Sequence, residues 1–177
     1  MTTRVPGTAS GTACQFAEDE GGTSVLLAQA DDLYVASADD FMASEPAWTL
    51  TATGGGYVPG DIDTDLDGVS PTLVLAAASE HGVYVEGTGM NAFVGQATDT
   101  PVTASAVRIP GGQYLVAWIN NDGTIRMAKG NEASGYAYIT VNFAEPATGL
   151  ALWVNEDHAM VAVSGATTLG IGTYDWM

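Results

Sequence analysis

The residues best spaced to do chemistry lie in GDIDTDLDG, residues 60–68. Asp63, Asp65 and Asp67 followed by Gly68 place carboxylates at alternate positions, with Asp61 one step earlier. A tight loop of this kind offers several oxygens to a hard cation, and calcium accepts loosely defined oxygen geometry. These four aspartates are the candidate metal ligands, set against the plainer reading of an acidic loop facing water. The twelfth position counted from Asp63 is Val74, so no EF-hand glutamate follows.

Other reactive groups are sparse. His81 and His158 are the only histidines, and both fall in predicted turns without the helical spacing of a metalloprotease or a neighbouring nucleophile elbow. Cys14 is alone, which excludes a disulfide framework within one chain and reads as a small half-buried strand residue. Acidic clusters such as Glu18-Asp19-Glu20, Asp31-Asp32 and Asp39-Asp40 are adjacent in sequence, which is not convergence across a cleft. Arg4, Arg108 and Arg126 invite comparison with the three-arginine carboxylate grip of sialidases. The repeated S-x-D-x-G-x-T-W turns of that family are missing, Asn121-Asp122-Gly123-Thr124 being the nearest counterpart. Pairing with carboxylates on neighbouring strands is the expected role of these arginines. No set of acid, base, nucleophile and orienting group can be assembled, so no catalytic residue and no enzyme activity is expected.

The elements that must carry these residues are strands. Residues 102–143 hold four apolar runs cut by Pro110-Gly111-Gly112, by Asn121-Asp122-Gly123 and by a polar loop from Lys129 to Gly135. An Asp-Gly step between apolar runs is a strong hairpin signal. In YAYITVNF, Ala137, Ile139, Val141 and Phe143 alternate with polar or aromatic neighbours, the period of a half-buried strand. The same unit recurs along the chain. Second strands are predicted at 25–30, 73–78, 114–119 and 160–164, each apolar on both faces as if sandwiched between sheets. Third strands are predicted at 33–37, 83–87, 125–129 and 169–173, roughly 42–50 residues apart. First strands fall at 12–17, 56–62, 102–109 and 149–155, and fourth strands at 47–53, 92–98 and 136–143.

A four-strand repeat of this length is the signature of a β-propeller blade. The fold expected is all-β: a single domain over residues 1–177 forming a small propeller of four blades, with repeats at about 7–53, 54–98, 99–144 and 145–177. The last repeat stops after three strands, and residues 2–6 have no repeat of their own, so the N-terminal strand is expected to close the ring. The alternatives are an open four-repeat arc completed by oligomerisation, and a β-sandwich or barrel. The acidic loop followed by LVLAAASEHGVYV makes about 30 residues of the second repeat resemble a blade of the FG-GAP family, as in integrin α-subunits. That resemblance implies calcium at the loop. The chain departs from the family at Ser70-Pro71-Thr72, where a last acidic ligand is expected.

Composition narrows the function classes. Hydrophobic residues make up 46% and charged residues 14% of the 177, which argues against disorder. Twenty-one acids face four basic residues, for a net charge of −17, and Lys129 is the sole lysine. Such a surface repels phosphates and anionic lipid, so neither nucleic acid nor membrane insertion is expected. Because the acids are spread over most loops, the composition resembles that of proteins from halophilic archaea or their viruses, in which molar salt screens self-repulsion. No secretory signal and no apolar membrane span are visible, which points to a virion or to the cytoplasm of a halophile. The function expected is a non-catalytic structural or interaction protein of a virion: a head decoration, spike or tail appendage, present in many copies beside other structural proteins. A lectin-like propeller that engages host surface glycans, assisted by calcium, is the first alternative, and a glycosidase-like enzyme working through paired carboxylates is the second. Four tryptophans and seven tyrosines supply the lectin's aromatic surfaces.

Overall fold

Pro110-Gly111-Gly112 and Asn121-Asp122-Gly123 reverse the chain tightly because Gly111, Gly112 and Gly123 adopt positive φ, which a Cβ disfavours. The computed structural model describes residues 13–19, 22–29, 32–37, 49–52, 57–64, 73–87, 89–154 and 158–175. The two turns join β9 (Pro101–Ile109) to β10 (Gln113–Asn120) and β10 to β11 (Ile125–Asn131). β12 (Gly135–Val141) completes this third sheet, whose strands pair antiparallel in chain order.

The other sheets repeat the meander. Sheet 1 contains β1 (Ala13–Asp19), β2 (Gly22–Gln29), β3 (Asp32–Ser37) and β4 (Thr49–Ala52). Sheet 2 contains β5 (Val58–Thr64), β6 (Leu73–Ser79), β7 (Gly82–Gly87) and β8 (Met90–Val94). Sheet 4 has three strands: β13 (Gly149–Val154), β14 (His158–Ser164) and β15 (Leu169–Asp175). The molecule is all-β, and among the described residues no helix is long and apolar enough to cross a membrane. Residues 2–6 and Arg4, expected to close the ring, lie outside the described residues.

Packing follows from alternation. β10 is buried on both faces: Tyr114, Val116 and Trp118 pack with sheet 2, while Leu115, Ala117 and Ile119 pack with sheet 4. Each fully buried large side chain of this kind contributes about 1.5–3 kcal/mol. The first strands lie side by side, β1 against β5, β5 against β9 and β9 against β13. No comparable contact joins β13 back to β1 among the described residues. The outer strands of sheets 2 and 3 are also clasped. Tyr138 Oη donates to the Gly95 carbonyl at 2.9 Å, and Asn91 N–H donates to Glu132 Oε1 at 3.1 Å.

β14 corrects the expectation that every second strand is covered on both faces. Ala159, Val161 and Val163 are buried against sheet 3, but Met160 between them is exposed. The strand is apolar on both sides, yet among the described residues only one side has a neighbour.

Candidate functional site

The most elaborate polar cluster sits where the chain crosses from sheet 2 to sheet 3. Asp99 accepts from Gln96 N–H at Oδ2, 2.7 Å away, and from Asn120 Nδ2 at Oδ1, 3.4 Å away, and Arg126 Nε lies 3.8 Å from the same Oδ1. Asn120 in turn accepts from Thr100 N–H at 2.9 Å and donates to Thr124 Oγ1 at 3.2 Å. Asp122 accepts from the Thr124 hydroxyl at 2.7 Å and from its N–H at 2.9 Å. Those Thr124 bonds, the hydroxyl's first, hold the Asp122 carboxyl below the usual carboxylate range. Glu145 is lowered in the same way, first by Thr167 N–H and then by the Thr168 hydroxyl. A cleft of about 600 Å³ opens beside Arg126, Asn120, Asp122 and Glu145. Its polar groups are engaged with one another, and the cluster fastens the crossover and the Asp-Gly turn.

The four candidate ligands divide. Asp61 and Asp63 belong to β5, in register with Ala76 and Val74 of β6, so Asp63 is part of a paired strand and not of a free loop. Asp65 and Asp67 lie outside the described residues. Among the described residues no group of three or more His, Cys, Asp or Glu side chains converges as metal ligands would.

The histidines part company. His81 lies in the β6–β7 turn, exposed, 3.6 Å from Glu80 and edge-on to Phe93 at 5.8 Å. His158 is not in a turn: it is the first residue of β14, paired with Asp175. Arg126 pairs with a carboxylate, but Asp99 lies in the loop between β8 and β9 and not on a neighbouring strand as expected. Arg108 stands opposite Tyr114 and Arg126 opposite Trp118, four residues apart on β10 and so about 13 Å along the strand. The two guanidinium groups form no common grip. Asp32 opens β3, while Asp31, Asp39 and Asp40 fall outside the described residues; Cys14 lies within β1.

The aromatics show two environments. Tyr114 and Trp118 wedge between sheets 2 and 3. Trp118 Nε1 is buried without a hydrogen-bond partner, and its ring meets Tyr138 edge to face at 6.4 Å. Tyr57, Tyr84 and Phe93 form a second cluster, with Tyr84 5.5 Å from Phe93. Burial, then the adjacent Glu86 carboxylate, pushes the Tyr84 hydroxyl well above the ordinary tyrosine value. Trp48 and Trp176 are outside the described residues.

Trp153 is different. It is 52% exposed on the face of sheet 4 that turns away from sheet 3, opposite Met160 on β14. Leu169 and Ile171 on β15 are each 68% exposed on the same face. Here the sequence carried a signal that periodicity alone does not resolve: in LGIGTYD, bulky Leu169 and Ile171 alternate with Gly170 and Gly172. The glycine side faces sheet 3, where a Cβ on Gly170 would press on the Phe143 ring at 2.9 Å. A cleft of about 330 Å³ between β12 and β15, lined by Ile139, Phe143, Val163 and Tyr174, lies on that inner side. The outer side is an apolar surface.

No protein-family model matches this chain, and no curated protein is significantly similar to it.

Proposed function

We propose that this chain is a non-catalytic structural protein, a multi-copy component of a virus particle made in a halophilic host, acting as a head decoration, spike or tail appendage. The observation that carries the reading is the outer face of sheet 4, where Trp153, Met160, Leu169 and Ile171 stand together in water. Clustered exposed apolar side chains on one sheet face mark a surface built for association. The net charge of −17 with a single lysine supports the halophilic host.

In this reading the four meanders are propeller-like blades. Support comes from their chain-order pairing and from the row of first strands, β1, β5, β9 and β13. The lack of a comparable contact between β13 and β1 among the described residues favours an open arc that is completed by association over a ring closed within the chain. The glycan-binding alternative has Trp153 as its best platform among the described residues. Met160 and Ile171 beside it make that surface apolar rather than the mixed aromatic and hydrogen-bonding surface a sugar needs.

The test is sedimentation of native source material in multi-molar salt, with this chain followed by mass spectrometry. Co-sedimentation with virus-sized particles is expected. Recovery only as a free, slowly sedimenting species would reject the reading.

A further inference from the structure

Among the described residues, the two ends of the row of sheets present faces that no neighbouring sheet matches. Each internal junction joins the forward face of one sheet to the rear face of the next. Sheet 2 offers Val74, Ala76 and Val85 forward to Tyr114 and Trp118 of sheet 3, and sheet 3 offers Leu115 and Met127 forward to Val161 of sheet 4. The face of sheet 4 bearing Trp153, Met160 and Ile171 is its forward face, and no sheet among the described residues covers it.

Sheet 1 presents the complementary half. Its β3, DLYVAS, matches β7, GVYVEG, position for position: Leu33 with Val83 and Tyr34 with Tyr84. Leu33 and Val83 are both fully buried. Tyr34 pairs across to Leu50, as Tyr84 pairs across to Phe93. Each hydroxyl donates to an acid on its own strand, Tyr34 to the preceding Asp32 at 3.4 Å and Tyr84 to the following Glu86 at 3.0 Å, so the acids themselves do not correspond in position. Tyr84 and Phe93 sit with Tyr57 on the rear side of sheet 2, and burial, followed by the Asp32 carboxylate of sheet 1, raises the pKa of the Tyr57 hydroxyl. By the same position, Tyr34 and Leu50 occupy the rear face of sheet 1, where Leu50 is 50% exposed.

We infer that the forward face of sheet 4 docks on the rear face of sheet 1 of a second copy of this chain, and that two copies close a ring through two such junctions. The occupant is fixed by repetition: a forward face in this molecule meets a rear face of the same kind, and among the described residues sheet 1 makes no comparable contact with sheet 4. Two identical junctions related by a two-fold axis give a closed assembly with no apolar end left over. Multi-molar salt screens the repulsion between two acidic chains at the short range where the faces meet. The inference rests on reading the sheets as blades and is independent of the particle in which the protein resides.

The test is sedimentation equilibrium of the full chain in multi-molar potassium chloride, on the wild type, on Leu50→Glu and on Ile171→Glu. The wild type is expected at about twice the 18.2 kDa chain mass. Each variant, changed at a side chain exposed in the single chain, is expected to weaken association at least tenfold while keeping its far-ultraviolet circular dichroism. An equimolar mixture of the two variants restores one intact junction and with it a two-chain species. Trp153→Ser reads the sheet 4 face if Ile171→Glu unfolds, and Tyr34→Ser reads the sheet 1 face if Leu50→Glu does. A monomeric wild type, association lost in Ile171→Glu but intact in Leu50→Glu, or growth into long polymers would each overturn the two-copy ring. A monomer would leave the particle co-sedimentation experiment to decide the structural role separately.

Discussion

Arg126 Nε and Asp99 Oδ1 lie 3.8 Å apart, and the two side chains differ sharply in exposure, 34% for Arg126 and 1% for Asp99. The carboxylate is therefore held mainly by its shorter hydrogen bond from Gln96 N–H and by Asn120, with the arginine as an outer partner. Asp99→Ala removes the acceptor of the part-buried Gln96 N–H and one of the two acceptors of the buried Asn120 amide, and is expected to cost about 1–3 kcal/mol. Arg126→Ala leaves those bonds in place and is expected to cost under about 1 kcal/mol. Urea unfolding of both variants measures the asymmetry. Equal losses would mean that the ion pair dominates.

Gly123 is the second test of the crossover. Its φ of +81° belongs to the left-handed region, and an added Cβ would lie 2.8 Å from Pro146 Cα. Its carbonyl also accepts the Ala147 N–H at 2.9 Å, tying the β10–β11 turn to the segment leading into β13. The conformational penalty alone is about 1–2 kcal/mol, and the contact with backbone adds to it. Gly123→Ala is expected to lower stability by at least that amount in denaturant titration. Gly111→Ala, with positive φ but open space around it, is expected to lose only the conformational part.

Strand positions were legible because turn residues and period-2 alternation specify them locally. The third strands expected at 33–37 and 83–87 are observed as Asp32–Ser37 and Gly82–Gly87, and sheet 4 has three strands among the described residues. What neighbours decide was not legible. His158 reads as a turn residue because Asn155-Glu156-Asp157 precedes it, but pairing with Asp175 draws it into β14. Asp99, one acid among 21, gave no sign in sequence that folding would bury it beside Asn120. The exposed forward face of sheet 4 was hidden for the same reason. Apolar residues at Met160 and Ile171 look the same in sequence whether or not a sheet covers them.

Alkaline pH probes the clasp between sheets 2 and 3. Tyr136 Oη donates to Met90 Sδ at 2.9 Å, and burial, followed by the nearby Glu132 carboxylate, pushes its pKa from 10.0 up to about 12. Below pH 10 the folded and unfolded chains both hold this proton. Between pH 10 and about 12 the unfolded chain releases it while the folded chain keeps it, so stability falls as the pH rises through that window. The Tyr84 hydroxyl is raised in the same sense. Phenolate absorbance is expected to resolve late-titrating tyrosines, and Tyr136→Phe is expected to flatten the loss of stability above pH 10. A single titration step at the ordinary tyrosine value would contradict the buried geometry.

Salt tests the charge argument directly. Twenty-one acids and four bases spread over one small chain repel one another, and folding brings those charges closer than the unfolded chain does. The screening length falls from about 10 Å at 0.1 M to about 3 Å at 1 M. Most of this repulsion should therefore vanish over that interval, and each kcal/mol recovered moves the melting temperature by roughly 2–4 °C at this size. The Asp99–Arg126 contact, screened over the same range, works in the opposite direction, but it is one favourable pair against a net charge of −17. Thermal unfolding followed from 0.1 M to multi-molar potassium chloride is expected to show a melting temperature that climbs steeply at first and then more gently. A melting temperature that stays flat or falls over the first molar of salt would show that the acidic surface is not a salt adaptation, and would remove the main support for a halophilic host.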